Sequence, residues 1–96
     1  MIDIIPIAAR YFQVTPKHLL RADSMEMVRN RRIMMWILKT DDGRLTTWLA
    51  RKFCASESTV RHGVLTIERA IEWDDQVRRD IGELRDLIWE DRDHAA

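Results

Sequence analysis

The stretch Thr46 to Leu65, TTWLARKFCASESTVRHGVL, decides the reading of this chain, because its residue sizes fall almost where a helix-turn-helix needs them. Counting from Thr46, the fourth and eighth residues are the apolar Leu49 and Phe53, the fifth is the small Ala50, the tenth Ala55 and the fifteenth Val60. The fifth place lies where two helices cross and accepts nothing larger than a methyl group, while the apolar places point into the core that sets the crossing. Cys54 stands ninth, where glycine is usual. Cysteine is small, so a tight turn remains accessible. A plain helical hairpin meets the same constraints and is the alternative.

Working outward, 96 residues predict one domain, 1–96, with a modest core. A single cysteine excludes an internal disulfide and fits a reducing cytoplasm. The longest apolar run, Ile33 to Leu38, is far too short to span a membrane, and the N-terminus lacks the layout of a secretion signal. The expectation is a soluble, cytoplasmic protein with no membrane partner. Formal net charge is zero, which alone argues against nucleic acid. Its distribution argues the other way: residues 1–69 carry 12 Lys/Arg against 7 Asp/Glu, and residues 70–96 carry 4 against 9. A neutral chain so divided can present a basic face to phosphates and turn its acidic tail elsewhere; two solvated faces of opposite sign are the alternative.

Helical signals run the whole length. Asp3 caps a first helix reaching Phe12, with Ile4, Ile7, Ala8 and Tyr11 as its apolar stripe. Thr15-Pro16 opens a short second helix carrying Leu19 and Leu20 inward. Ser24 opens a third to about Thr40, whose IMMWIL segment is apolar on every side and therefore central. Asp41-Asp42-Gly43 reads as the joint before the 46–72 motif, and Asp74 or Asp75 caps an acidic helix over about 75–90 with Val77, Ile81, Leu84 and Ile88 on one face. The fold class predicted is all-α, a compact bundle of five to six helices containing a helix-turn-helix.

The order of IAARYFQVTPKHLL, VRNRRIMMWIL and LARKFCASESTVRHGVLTIERAI resembles the C-terminal, DNA-binding domain of the bacterial replication initiator DnaA. In that family a tyrosine-bearing helix and a Leu-Leu helix precede a basic loop, a helix opening with arginines, and a helix-turn-helix whose second helix begins Asp-His-Ser/Thr-Thr-Val and continues to an Ile-Glu pair. Ser58-Thr59-Val60, Ile67-Glu68, Arg29 and Arg31 match these features. The resemblance implies double-stranded DNA as partner and a role in transcription or replication.

The departures are also specific. Cys54-Ala55-Ser56-Glu57 replaces the family's Gly-Gly-Arg-Asp-His, one residue shorter, so Ser56 and Glu57 stand for the recognition aspartate and histidine. The basic loop is reduced to Arg21-Ala22-Asp23. With three glycines in all, the chain holds no Gly-rich phosphate loop, so no nucleotide and no ATPase module are expected.

A recognition helix offers its N-terminal turn to the major groove, which selects Ser56, Glu57, Ser58, Arg61, His62 and Leu65 as outward residues. Arg61 alone carries a fork of donors suited to guanine or phosphate. Ser58 or Thr59 is expected to cap the helix, with phosphate contact as the other role; Glu57 either accepts from cytosine or favours the helix dipole. His62 is either a phosphate contact or a half-buried structural residue. Arg29, Arg31 and Arg32, close to a helix N-terminus, suit a phosphate backbone; ion pairs with Glu26, Asp41 or the acidic tail are the alternative. Arg51 and Lys52 are further backbone candidates.

Cys54, His18, His62 and His94 make no metal-ligand spacing, and no catalytic pair stands out, so neither an enzyme nor a cofactor is expected. The rival to DNA binding is a protein-interaction or dimerisation module working through the C-terminal helix, with Trp73 and Trp89 as anchors.

Overall fold

Short polar side chains set where most of the helices begin in the computed structural model, which describes residues 3–21 and 24–95. Asp3 accepts from the Ile5 amide at 3.1 Å, Thr15 from His18 at 3.2 Å, Ser24 from Met27 at 3.1 Å, and Asp74 from Gln76 and Val77 at 3.0 and 3.2 Å. The helices are α1 (Ile4–Tyr11), α2 (Pro16–Arg21), α3 (Met25–Asp42), α4 (Thr46–Lys52), α5 (Glu57–Ala70) and α6 (Asp75–Ala95), with no strand among the described residues. Ala22 and Asp23 of the reduced basic loop lie outside the described residues. No helix among those described is long and apolar enough to cross a membrane.

The apolar run of α3 is the centre. Ile33, Met34, Met35, Trp36, Ile37 and Leu38 are all buried, and α1, α2, α5 and α6 pack around them. The predicted α6 stripe of Val77, Ile81, Leu84 and Ile88 is buried, as are Val60, Val64 and Ile67 of α5. On α1, Ile5 and Ala9 are buried as well as the predicted Ile4, Ile7 and Ala8, because α2, α3 and α6 all touch this helix. The radius of gyration, 12.5 Å, is that of a tightly folded chain of this length, for which about 13 Å is typical.

Two boundaries differ from the sequence reading. Asp41 and Asp42 belong to α3 rather than to a joint, and Gly43, at φ 65°, ends the helix in the left-handed conformation. Carboxylates at a helix C-terminus oppose its dipole, and α6 supplies the compensation. Arg85 grips Asp41 with two hydrogen bonds of 2.8 Å while its guanidinium lies 4.9 Å from the Trp36 ring centroid, and Arg92 meets Asp42 at 2.5 Å. α6 itself runs on to Ala95, beyond the expected residue 90, and so carries Arg92 to its partner.

A polar cluster joins α1, α3 and α6 inside this apolar frame. Asp80, 4% exposed, accepts from Gln76 at 3.0 Å and meets the Arg29 guanidinium at 2.9 Å. The Tyr11 hydroxyl lies 2.8 Å from Asp80 and 2.5 Å from Glu83. Burial, followed by hydrogen bonding to these two carboxylates, pushes the phenol pKa well above its ordinary value.

Candidate nucleic-acid interface

The joint between α4 and α5 is built around a left-handed residue. Phe53 caps α4 and Cys54 follows at φ 52°, the conformation that favours glycine at this place in such turns. Two hydrogen bonds close the turn: the Cys54 amide donates to the Arg51 carbonyl at 3.3 Å and the Ala55 amide to the Ala50 carbonyl at 2.9 Å. Both are the pairings of a Schellman end, which turns the chain sharply and satisfies carbonyls left free at the end of α4. Leu49, Phe53 and Val60 are buried beneath, with Ala50 and Ala55 half-buried between the helices.

The first residue free to cap α5 is therefore Ser56, not Ser58 or Thr59. Its Oγ accepts from the Thr59 amide at 3.1 Å and donates to Thr59 Oγ1 at 2.8 Å. Ser58 Oγ lies 3.4 Å away. Glu57 then occupies the first position of α5, where a carboxylate favours the dipole. Ser56, Glu57, Ser58, Thr59, Arg61, His62 and Leu65 are all exposed. The half-buried role considered for His62 does not occur. Among the described residues no carboxylate lies within 4.0 Å of Arg61.

The arginines of α3 have three different fates. Arg29 is held against buried Asp80, which is the ion pair with the acidic tail that stood as the alternative to phosphate contact. Arg31 points inward: one nitrogen, Nη1, donates to the Leu20 and Phe53 carbonyls, each at 3.1 Å, and ties the end of α2 to the end of α4. Burial, with Arg32 beside it, lowers its pKa. Arg32 lays its stem across α5 at Gly63, where a Cβ would come within 2.9 Å of Arg32 Cγ. No carboxylate pairs with Arg32 among the described residues. Arg29 is already the fifth residue of α3, so all three arginines lie beyond the first turn, within which the helix dipole fades.

Lys52, at the end of α4, meets Asp3 at 3.6 Å in an exposed pair, and Arg51 beside it is exposed. An ion pair of this kind contributes little and exchanges readily for another anion. No family description, curated protein or solved structure matches this chain. The interface thus rests on its own geometry: an exposed first turn of α5, with Arg61 and His62 following it, Arg32 laid across the same helix, and Arg51 and Lys52 preceding the turn. Among the described residues no group of three His, Cys, Asp or Glu side chains is placed to hold a metal ion.

Sequence reasoning missed Arg31 as a bracket and Asn30, 2% exposed, as part of the interior. One signal for Arg32 was available: Gly63 inside a helix removes a side chain where another residue needs to pass.

Proposed function

We propose that this chain is a small double-stranded DNA-binding protein, a regulator of transcription or replication, in which α4, the Cys54 turn and α5 act as a helix-turn-helix. The observation that carries the reading is the left-handed Cys54 at the ninth place of the motif, followed at once by an exposed polar turn of α5. The resemblance of the sequence to the DnaA C-terminal domain supports the same assignment. Arg61 and the Ser56-Glu57-Ser58 turn face base edges, with His62 beside them, and Arg51 and Lys52 supply phosphate contacts. Arg29 and Arg31 are engaged inside the fold and are left out of the interface.

The test is retention of duplexes from a random pool, first at low and then at physiological salt, with sequencing of what is bound. Each neutralised phosphate contributes a slope of about 0.9 on the logarithmic salt plot, so two such contacts give about 2. A flat response, or no retention, refutes the proposal. The box read by initiators is not the expected winner, because a hydroxyl and a longer carboxylate stand where the family has aspartate and histidine; two altered positions at about 1–3 kcal/mol each remove at least an order of magnitude of preference. Trp73 and Trp89, 74% and 62% exposed, favour a second reading as a protein-interaction module, which predicts indifference to DNA.

A further inference from the structure

A groove of about 190 Å³ opens between the start of α3, the second half of α5 and the start of α6. Buried Ile67, Ala70 and Val77 form its apolar floor. Two of the most exposed large apolar side chains described, Met25 at 84% and Trp73 at 74%, stand at its rim. Arg32 and Asp74 also line it, and neither has a charged partner within 4.0 Å among the described residues. One patch therefore carries an apolar knob, an apolar hollow, a cation and an anion.

A two-fold contact needs that combination, because each feature of the patch must meet its complement on an identical patch. We propose that this groove is the interface of a symmetric homodimer, in which Trp73 of each protomer enters the groove of its partner and Arg32 of each protomer faces Asp74 of the other. A monomer leaves the indole of Trp73 in water at the edge of a hollow lined by its own core. The dimer covers both. The other exposed tryptophan lacks these credentials: the cleft beside Trp89 contains Arg85 and Arg92, but both are already paired with Asp41 and Asp42.

The patch is small, so the dimer is a reversible one that concentration controls. Its position leaves DNA accessible. Thr66 lines the groove, whereas Thr59 belongs to the first turn of α5, seven residues or about 10 Å earlier along the helix.

Sedimentation equilibrium of the protein without DNA tests the proposal independently of any nucleic-acid role. The expected result is a mass rising with concentration from monomer and levelling at dimer. Because a two-fold interface uses each residue twice, a Trp73 contact worth about tenfold makes Trp73→Ser about a hundredfold weaker in dimerisation. Arg32→Glu, which sets two carboxylates against each other, is expected to be monomeric over the same range. Asp74→Asn retains an N-cap residue and removes only the charge, so it gives a dimer of intermediate strength with unchanged thermal stability. Trp89→Ser dimerises like the parent. A chain that stays monomeric to about 1 mM, growth beyond dimers, a folded Trp73→Ser that still dimerises like the parent, or dissociation by Trp89→Ser instead overturns it.

Discussion

Replacing Cys54 by glycine is expected to stabilise the protein, against the usual direction of glycine substitutions. A non-glycine residue in the left-handed region carries about 1–2 kcal/mol of strain, since its Cβ crowds the following carbonyl. Glycine removes that strain but loses more backbone freedom on folding, by roughly 0.5–1 kcal/mol. The Cys54 side chain is exposed, and its thiol reaches only the Arg51 carbonyl at 4.0 Å, so removing it sacrifices almost no packing. The balance is a gain of about 0.5–1 kcal/mol. In a chain of 96 residues that gain raises the melting temperature by about 2–8 °C. Thermal and urea unfolding, each with a two-state check, measure it. Cys54→Ala keeps the Cβ and is expected to be near neutral, whereas Cys54→Val, β-branched, is destabilising. Destabilisation by glycine, or equal stabilisation by alanine and glycine, refutes the strain argument. Gln13, at φ 58° after α1, provides a second position for the same comparison.

Arg31→Met is expected to cost about 1–3 kcal/mol in urea unfolding by leaving the Leu20 and Phe53 carbonyls without their donor. The loss lies in folding rather than in a phosphate contact, so once folded the variant keeps the parent's salt slope. Tyr11 is the only tyrosine, and its phenol pKa is raised, so the neutral form stabilises the fold at every pH below the ordinary value near 10; that contribution is lost as pH climbs towards the raised value. Ultraviolet titration is expected to show phenolate forming later in folded than in unfolded protein, and Tyr11→Phe to lack this part of the alkaline loss of stability. Arg61→Ala is expected to flatten base preference at a selected site by about 1–3 kcal/mol in competition binding; an unchanged preference removes Arg61 from the reading edge.

What could be read from sequence was what depends on near neighbours. Asp3, Thr15-Pro16 and Ser24 fix helix starts through amides two or three residues away, and the Val77, Ile81, Leu84, Ile88 spacing fixes a buried face by itself. What could not be read depends on partners supplied by the fold. Asp41 and Asp42 look like a joint until Arg85 and Arg92, 44 and 50 residues later, are known to meet them. Arg29, Arg31 and Arg32 look alike because their sequence setting is shared, yet one finds a buried carboxylate, one a pair of carbonyls and one a helical glycine. The choice of Ser56 over Ser58 and Thr59 as cap was hidden for a related reason. Three nearby hydroxyls compete, and the backbone at Cys54 decides where α5 begins.

The packing of α1 against α6 also bears on how the protein comes into being. The first helix described seals part of its apolar face against the last one, so during synthesis the Ile4 to Ala9 segment is made long before the surface that completes its cover. Until α6 emerges, that segment rests on α2 and α3, with Asp80 and Glu83 not yet there to meet Tyr11. Because most of its structure is local, α2 to α5 can assemble as the chain lengthens, while closure waits for α6. A nascent chain stalled before α6 thus displays a sticky apolar strip on α1, which is the kind of surface that general chaperones bind.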